Sequence, residues 1–284
     1  MKVLFIVNRR SGAKRDVRDT IREYCRDEFD VVECPPKEEL DPVIARAKRD
    51  NFDVIYAVGG DGTVHEIAKR LIGSRLALGI IPTGSGNGLA RHLGFPIDVR
   101  EALCTTPRAA TVDSGTVNGI PFVGTMGVGF DAWVADAFAS SGVRGLRSYI
   151  RVGLDGILKY KPETYQIEVD GERIERRALL IAIANASQYG NNARIAPVAS
   201  LQDGMLDVVI VERVSLAGAA RLFTGSLHRA KGITMRRGRH IEIRRPAAGP
   251  AHLDGEPVML PETLTIDIVP QSLRMLVPDS ATRI

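Results

Sequence analysis

The chain has 284 residues, of which 44% are hydrophobic and 25% are charged. This is an ordinary globular composition, with enough length for two domains. The net charge of +4 is too small to identify a partner, and no apolar run approaches the roughly 20 residues that a membrane-spanning helix needs. Val3–Val7 is too short for the core of a signal peptide, and the three cysteines show no metal spacing, so we expect a cytoplasmic protein.

Strand and helix patterns alternate through the N-terminal part of the chain. The predicted strands are Val3–Val7, Val31–Glu33, Asp53–Val58 and Leu76–Ile81. The first predicted helix has an apolar face formed by Val17, Ile21, Tyr24 and Cys25, and the second begins at an N-cap, Asp41, before Pro42. The third spans Val64–Ile72 and ends at Gly73, and the fourth is a short segment after Gly88. This alternation predicts an α/β domain with a parallel sheet covered by helices on both sides.

From about Thr111 the pattern changes to one dominated by strands. The predicted strands are Gly119–Met126, Tyr165–Val169, Arg173–Ala184, Met205–Val211, His240–Arg244 and Leu264–Val269. Asp170-Gly171 and Asp254-Gly255 have the composition of hairpin turns, and helical patterns cover about 132–158 and 216–230. We therefore predict a second, mainly antiparallel β domain, with the boundary near residues 111–118.

The glycine-rich loop Gly59-Gly60-Asp61-Gly62-Thr63 lies between a predicted strand and a predicted helix. Backbone N–H groups and the positive end of a helix favour phosphate at such a position. The competing interpretation is a tight turn with a capping box, in which Thr63 caps the helix and Glu66 reaches back. Asp61 favours a functional loop, because a carboxylate beside a phosphate is costly unless it serves a metal ion or takes a proton.

Two further polar loops are predicted at the same edge of the sheet. Pro82–Gly88 follows the strand Leu76–Ile81, and Asn8–Gly12 follows the first strand. The carboxyl ends of parallel strands share one edge, where ligands bind. Neither glycine loop fits the P-loop or the dinucleotide pattern, so a P-loop NTPase and a Rossmann dehydrogenase are disfavoured.

These loops carry a family resemblance. Gly59–Thr63 resembles the signature of the diacylglycerol/sphingosine lipid kinase family, although NAD kinases and phosphofructokinases share it. Further matching segments are Asn8 with Ser11-Gly12, Ile81–Asn87, Asn185, Tyr189-Gly190, Pro197, Asp203-Gly204 and His252–Glu256. Arg9 stands where the family usually has proline. The resemblance covers nearly the whole chain.

The resemblance implies how the chain is divided. It implies a nucleotide-binding kinase domain over residues 1–113, with a return segment at about 270–284, and a β-sandwich lipid-binding domain over residues 114–269.

The resemblance also implies a catalytic carboxylate in a late Asp-Gly-Glu motif, which occurs here at 170–172 and at 254–256. Asp254 matches the family's position near the C-terminus, so it is assigned as the base that acts on the lipid hydroxyl. Asp170 matches an ordinary hairpin. Asp61 is the rival for the catalytic role, and its part in proton transfer is left open.

The remaining roles are implied by position in the family pattern. Asp131 is a candidate for the lipid head group, or else a surface carboxylate, and Asp203 with Met205 is a candidate for structural Mg²⁺, or else a plain turn. The implied nucleotide-binding residues are Asn8, Gly59, Gly60, Asp61, Gly62, Thr63, Glu66, Gly84, Ser85, Asn87 and Glu256. The implied cofactors are ATP and Mg²⁺.

The expected function is ATP-dependent phosphorylation of a hydroxyl of a membrane lipid. Diacylglycerol is the default acceptor, while Gly88, where diacylglycerol-type members usually have Asp, favours a sphingoid base or ceramide. The alternatives are a soluble-substrate kinase such as an NAD kinase, and a non-catalytic nucleotide- or lipid-binding regulator.

Two arginine clusters suggest where such a protein would touch a membrane. Arg144, Arg147 and Arg151 form one cluster, and Arg236, Arg237, Arg239, Arg244 and Arg245 form the other. They predict reversible, peripheral contact with an anionic membrane, although a solvated face is an equal alternative. No nucleic-acid-binding signature is present, and a homodimer is left open.

Overall fold

A computed structural model describes residues 1–11, 17–140, 160–213, 215, 218, 220–281 and 284, without the side chains of 138–140. The described residues form two compact units. The first comprises Met1–Asp113 with Pro270–Ile284, and the second comprises Ser114–Val269.

The first unit is built on a parallel sheet. Its elements are β1 (Lys2–Val7), α1 (Val17–Tyr24), β2 (Glu28–Glu33), α2 (Leu40–Arg49), β3 (Val54–Gly59), α3 (Asp61–Leu71), β4 (Ala77–Pro82), α4 (Gly88–His92) and α5 (Val99–Cys104). The strand order is β2-β1-β3-β4, with every neighbouring pair parallel. Strands β1, β3 and β4 are almost wholly buried, as expected where helices cover both faces of a parallel sheet.

The second unit contains two antiparallel sheets. Its elements are β5 (Pro107–Val117, which begins in the first unit), β6 (Ile120–Phe122), β7 (Thr125–Gly129), α6 (Phe130–Ser140), β8 (Glu163–Val169), β9 (Glu172–Ala178), β10 (Leu180–Ala184), β11 (Leu206–Val211), β12 (Ile233–Gly238), β13 (His240–Arg244), β14 (Gly249–Leu253), β15 (Glu256–Leu260) and β16 (Thr263–Pro278). One sheet has the order β12-β11-β10-β7-β14-β15. The other joins β9, β8, β13 and the first part of β16.

The core of the second unit lies between its two sheets. Met126, Ile181 and Val208 come from the first sheet and pack in one cluster with Ile167 and Ile243 from the other. This is a β-sandwich, and the predicted fold class is confirmed: an N-terminal α/β domain with a parallel sheet, followed by an antiparallel sandwich.

Strand β16 is shared by the two units. Its first residues pair with β13 in the second unit, and Met275 pairs in parallel with Leu78 of β4 in the first. Leu273, Met275 and Val277 are buried. The predicted strand Leu264–Val269 is therefore only the first part of a strand of 16 residues.

Two predicted strands are each divided in the structure. Gly119–Met126 breaks into β6 and β7 at Val123-Gly124, where backbone N–H groups turn to the Asp254 carboxylate instead of a neighbouring strand. Arg173–Ala184 breaks at Leu179, since β9 pairs with β8 while β10 pairs with β7 and β11. The continuous apolar run from Ala178 conceals this change of sheet.

Other predicted boundaries also differ. The sequence patterns missed β5, β12, β14 and β15. Of the helix predicted over 132–158, the described part is α6, and the rest lies outside the described residues. Of the helix predicted over 216–230, the described backbone from 221 onward forms turns and a single 3₁₀ turn, Leu227–Arg229.

Asp41 is not the N-cap of the second helix. The helix α2 begins at Leu40, directly after a 3₁₀ turn, Lys37–Glu39, and no side chain caps it. Asp41 instead accepts a hydrogen bond from Arg70 Nε at 2.7 Å. The preceding 3₁₀ turn supplies the start of the helix, so a capping carboxylate is not needed there.

Candidate functional site

The loops that follow β1, β3 and β4 meet at one edge of the first unit's sheet. Asn8 Nδ2 donates to Thr63 Oγ1 at 2.8 Å, and the hydroxyls of Ser11 and Thr83 lie 2.9 Å apart. The N–H of Thr83 also donates to Gly59 O at 2.9 Å. The predicted nucleotide-binding residues Asn8, Gly59 and Thr63 are therefore brought together, while Gly12 of the first loop lies outside the described residues.

Glycine is required where two of these loops touch. A Cβ added to Gly84 would lie 2.4 Å from Gly60 Cα, so the two backbones are in direct contact. A Cβ added to Gly59 would lie 2.5 Å from Thr63 Cβ. Backbone this close leaves no room for side chains, which is the arrangement that lets main-chain N–H groups approach a phosphate.

Asp61 connects the two glycine loops. Its carboxylate accepts hydrogen bonds from the N–H of Asn87 at 2.7 Å and of Gly88 at 2.6 Å, at the start of α4. A Cβ on Gly86 would come within 2.5 Å of Asp61 Oδ2, so the glycine admits the carboxylate. Asp61 thus acts as an anchor for the second loop.

Asn87 closes the second loop on itself. It has a left-handed backbone (φ 53°), and its amide accepts from Gly84 N at 3.1 Å and donates to Gly84 O at 2.7 Å. Asn87 is buried, whereas Ser85 at the tip of the loop is exposed. Of these two predicted nucleotide contacts, the structure presents the Ser85 hydroxyl to solvent and uses the Asn87 side chain to shape the turn.

The predicted capping box at Thr63 and Glu66 is wrong. The helix α3 begins at Asp61, its N-cap is Gly60, and both Thr63 and Glu66 lie inside it, as does the half-buried Gly62. Gly60 has no side chain that could satisfy the first N–H groups of the helix. The positive end of α3 is therefore not neutralised by its own N-cap residue.

Glu66 lies buried among three cations. Its carboxylate contacts Arg70 at 2.6 Å, Lys69 at 2.8 Å and Lys37 at 3.4 Å. Burial raises the pKa of Glu66, but the hydrogen bonds from Lys69 and Arg70 outweigh burial and lower the pKa to about 2. The Glu66 carboxylate is therefore ionised and already paired with cations. If it also contacts a nucleotide, it does so while bound to these side chains.

In the second unit, Asp254 occupies the tip of the β14–β15 hairpin. Asp254 and Gly255 both have positive φ, 53° and 86°, as a two-residue type I′ turn requires. The Asp254 carboxylate accepts three backbone N–H groups, from Val123 at 2.9 Å, Gly124 at 2.7 Å and Thr125 at 2.9 Å. The carboxylate is fixed and half-buried, and Glu256 follows it at the start of β15, also half-buried.

The second copy of the motif has the same local geometry. Asp170 and Gly171 have φ values of 49° and 91°, and the Asp170 carboxylate accepts the N–H of Arg239 at 3.0 Å and of His240 at 2.9 Å. The turn conformation and the main-chain hydrogen bonds to the carboxylate therefore do not distinguish Asp254 from Asp170.

The surroundings of the two turns do differ. Asp131 and His252 are buried beside the Asp254 turn, with Asp131 Oδ2 2.9 Å from the Tyr189 hydroxyl and 3.2 Å from His252 Nε2. Asp131 is thus a buried partner of two side chains, and not a surface carboxylate. Sequence reasoning assigned His252 no role of its own, and its position two residues before Asp254 is the signal that could have indicated one.

Of the two predicted metal residues, Asp203 is engaged with a guanidinium. Asp203 forms an ion pair with Arg237, and its Oδ1 accepts the N–H of Met205 at 3.0 Å. Arg237 Nε also lies 3.2 Å from Asp207, which is buried. Within the part of the chain that the structure describes, no group of three His, Cys, Asp or Glu residues could hold a metal ion. A site made of one carboxylate and main-chain carbonyls is a different kind of site, so Mg²⁺ at Asp203 and Met205 stays a prediction.

The second arginine cluster is not a uniform basic surface. Arg245 is buried and donates to the carbonyls of Gly249, Pro250 and Pro261 at 2.7, 2.8 and 3.0 Å. Arg236 lies 3.7 Å from Glu172. The first cluster, at 144, 147 and 151, lies outside the described residues. Over the residues that are described, no helix is both long and apolar enough to span a membrane.

Comparison with known protein families accounts for both units. Residues 2–118 match the diacylglycerol kinase catalytic domain, and residues 124–277 match the YegS C-terminal NAD kinase beta sandwich-like domain. The chain belongs to the diacylglycerol kinase and YegS-like family of lipid kinases. This family consists of phosphotransferases, and the predicted family is confirmed.

Individual members of the diacylglycerol kinase and YegS-like family show the same similarity. A diacylglycerol kinase from Bacillus subtilis (strain 168) is 32% identical over 67% of this chain and 62% of its own length. A "Probable lipid kinase YegS-like" protein from Klebsiella pneumoniae (strain 342) is 28% identical over 97% of this chain and 95% of its own length.

The crystal structure of a diacylglycerol kinase from Bacillus anthracis str. Sterne has the same fold. It superposes with a TM-score of 0.75 at 20% identity, covering 99% of this chain and 98% of the other.

Proposed function

We propose that this chain transfers the γ-phosphoryl group of ATP to a hydroxyl of a membrane lipid, either diacylglycerol or a sphingoid base or ceramide. The observation that carries the proposal is the glycine edge of the first unit. There Gly60 and Gly84 bring two backbones into contact, beside a helix terminus with no capping side chain. Membership of a lipid kinase family supports a lipid as the acceptor.

ATP is proposed to bind with its phosphates against these loops. Main-chain N–H groups and the positive end of α3 attract the phosphates, and the exposed Ser85 hydroxyl is available as a further donor. Magnesium in kinases is held largely by the phosphates themselves, with one or two carboxylates and water. Asp61, which belongs to the same loop, is the carboxylate that would take part, and a bound Mg²⁺ would supply neutralisation of the phosphate charge.

Asp254 is proposed to orient the acceptor hydroxyl and to take its proton. Three N–H groups fix the carboxylate in one orientation. Phosphoryl transfer is usually loose, so the proton leaves late and orientation of the hydroxyl contributes more than basicity. Asp61 is the alternative for this role, since both carboxylates accept main-chain N–H groups on both oxygens and these contacts do not separate them.

An assay with γ-labelled ATP against diacylglycerol, ceramide, sphingosine, monoacylglycerol, undecaprenol and NAD tests the function. We expect label in one or more of the lipids and none in NAD. Labelled NAD alone would replace the proposal with a soluble-substrate kinase. Tight ATP binding without transfer to any acceptor would favour a non-catalytic regulator.

Reversible contact with an anionic membrane is a further part of the proposal. It rests mainly on Arg144, Arg147 and Arg151 of the sequence, because Arg245 is buried. Attraction of about 1 kcal/mol per basic residue near the surface would be screened by salt. Sedimentation with phosphatidylserine-containing vesicles should therefore decrease at high salt, and binding that ignores salt would contradict an electrostatic contact.

A further inference from the structure

A buried hydrogen-bonded chain ends at the turn that carries Asp254. Asp131 lies in the first turn of α6, Tyr189 in the segment after β10, and His252 in β14. Asp131 Oδ2 lies 2.9 Å from the Tyr189 hydroxyl and 3.2 Å from His252 Nε2. On the other side of the imidazole ring, the N–H of Gly255 donates to His252 Nδ1 at 3.4 Å.

These contacts assign the protons of the imidazole. A backbone N–H can only donate, so His252 Nδ1 must be the unprotonated nitrogen that accepts from Gly255. Nε2 then carries the hydrogen and donates to Asp131, which accepts from Tyr189 as well. One imidazole therefore connects a buried carboxylate to the backbone of the Asp254-Gly255 turn.

The ordinary hairpin ladder does not supply this connection. Pairing between β14 and β15 ends at Leu253 and Glu256, so the N–H of Gly255 lies beyond the ladder. His252, two residues before Asp254, provides the acceptor for the Gly255 N–H. At the other Asp-Gly-Glu copy, the residue two before Asp170 is Glu168, which points to Arg173 at 2.7 Å.

The neighbouring strand, β7, leaves space for the side chains of Asp131 and His252. Gly127 of β7 lies opposite His252 in the sheet register. A Cβ on Gly127 would lie 2.2 Å from Asp131 Oδ2 and 2.6 Å from His252 Nε2. Buried polar groups destabilise a core unless they are hydrogen-bonded, and here a glycine makes the space in which the carboxylate and the imidazole meet.

We propose that His252 is a positioning residue for the Asp254 turn, held in its tautomer by Asp131 and Tyr189. The proposal rests on the proposed function, because it assigns His252 to the carboxylate that acts on the acceptor hydroxyl. A misplacement of about 1 Å in such a group can reduce the rate roughly 10²-fold.

Two amide substitutions separate the two sides of the imidazole. In His252→Asn, the side-chain oxygen can take the place of Nδ1 and accept from Gly255, so kcat should stay within about 5-fold of the wild type. In His252→Gln, the amide reaches toward Asp131 and leaves Gly255 without an acceptor, so kcat should fall roughly 10²-fold. The KM for ATP should change less than about twofold in both variants, because positioning of the acceptor is an effect on turnover.

Kinetics are measured with ATP and dioleoylglycerol, ceramide or sphingosine in phosphatidylcholine vesicles, using whichever lipid the wild-type chain phosphorylates. Equal kcat values for the two variants, whether high or low, would overturn the proposal. So would a raised KM for ATP with an unchanged kcat.

A second readout does not depend on catalysis. Amide hydrogen exchange at Gly255, followed by NMR on the full chain, should be faster in His252→Gln than in His252→Asn or the wild type. If the wild type phosphorylates no lipid, the proposed function fails, and Gly255 exchange still decides whether His252 holds the turn. Unchanged exchange in His252→Gln would overturn the proposal.

Discussion

Asp254 and Asp170 differ in their surroundings but not in their turns, which makes them a matched pair for substitution. Both residues have a left-handed backbone conformation, and both carboxylates accept main-chain N–H groups from a neighbouring segment. Changing either one to Asn removes a charge and one acceptor from the same kind of turn. A difference in activity between the variants would therefore report chemistry rather than lost turn geometry.

The first prediction concerns this pair. Asp254→Asn should lose roughly 10²–10⁴-fold in turnover, the range for a positioned general base, while ATP binding persists. Asp170→Asn should remain close to wild type in turnover. Lipid kinase rates and ATP binding by calorimetry measure both effects. Near wild-type turnover in Asp254→Asn would remove its assignment as the base.

The second prediction concerns Asp61, which the structure makes an anchor between loops. An Asn at this position keeps only one acceptor for the two N–H groups of Asn87 and Gly88. Asp61→Asn should therefore lower the free energy of unfolding by about 1–3 kcal/mol and raise the KM for ATP. Urea unfolding and ATP-dependent rates test this. A loss of kcat as large as that of Asp254→Asn, with unchanged stability, would return Asp61 to the role of proton acceptor.

At the scale of the elements, the contact between two loops depends on backbone approach. Gly84→Ala places a Cβ 2.4 Å from Gly60 Cα, and backbone cannot give way as a flexible side chain can. We expect the KM for ATP to rise about tenfold or more, since each tenfold corresponds to about 1.4 kcal/mol of lost binding. Gly73→Ala is the control: it strains a positive φ in open space and should reduce stability while leaving the KM for ATP unchanged. Equal effects of the two variants on the KM would contradict the role of the contact.

The hairpin that carries Asp254 depends on a buried arginine at its base. Arg245 donates to carbonyls of Gly249, Pro250 and Pro261, so Arg245→Met removes the donors from three part-buried hydrogen bonds. The free energy of unfolding should fall by about 2–4 kcal/mol. Arg244→Met changes the exposed neighbour and should stay within about 0.5 kcal/mol of wild type. Similar losses in the two variants would show that the carbonyl contacts contribute little.

These elements also show what could be predicted from sequence. The strands β1, β3 and β4 were predicted to within one residue because each is a short apolar run followed by a turn. The first three residues of β2, Glu-Phe-Asp, were missed because they are largely polar. The missed strand β14, Gly-Pro-Ala-His-Leu, contains glycine, proline and histidine, so it has neither an apolar run nor alternation. Its place is determined by tertiary pairing with β7 and by the carbonyl contacts of Arg245, which local pattern does not encode.

The candidate site was predictable to a similar degree. Glycine-rich loops after parallel strands indicated the edge where Asn8, Thr63 and Gly84 come together. The side-chain roles were less accessible, because Thr63 fits a capping box as well as it fits a partner for Asn8. The N-cap of α3 is Gly60, three residues before Thr63, so Thr63 lies inside the helix and its hydroxyl accepts from Asn8. His252 was missed because its partner, Asp131, is 121 residues away in sequence.

At the scale of the whole molecule, the buried carboxylate of Asp207 should make stability depend on pH. Burial raises its pKa to about 6 from an ordinary value of 3.8; Arg237 opposes this shift, and Asp203 adds to it. Between these values the folded state binds the proton more tightly than the unfolded state, so stability falls as pH rises from about 4 to about 6. The decrease attributable to Asp207 is about 2–3 kcal/mol. Glu66 affects stability at lower pH. Because its pKa is lowered from 4.5 to about 2 in the folded state, stability is lost as the pH falls from about 4.5 toward about 2.

Unfolding by urea at several pH values, compared between the wild type and Asp207→Asn, measures this contribution. The variant should lose most of the decrease between pH 4 and pH 6 and should be more stable than the wild type near pH 7. An identical pH dependence in the two proteins would show that Asp207 is not the group responsible.

The shared strand β16 has a consequence for synthesis on the ribosome. The sheet of the first unit is completed by residues that follow Pro270. The edge of β4 that pairs with β16 therefore has no partner strand until the whole second unit has been translated. At about 5–20 residues per second, that interval is roughly 10–30 s. During it the nascent chain presents Ala77–Pro82, buried in the finished protein, as an open strand edge. A chaperone that binds the nascent chain, or a faster rate of elongation, should therefore change the yield of this protein. The effect should be larger than for a protein whose first domain is complete before the second is translated.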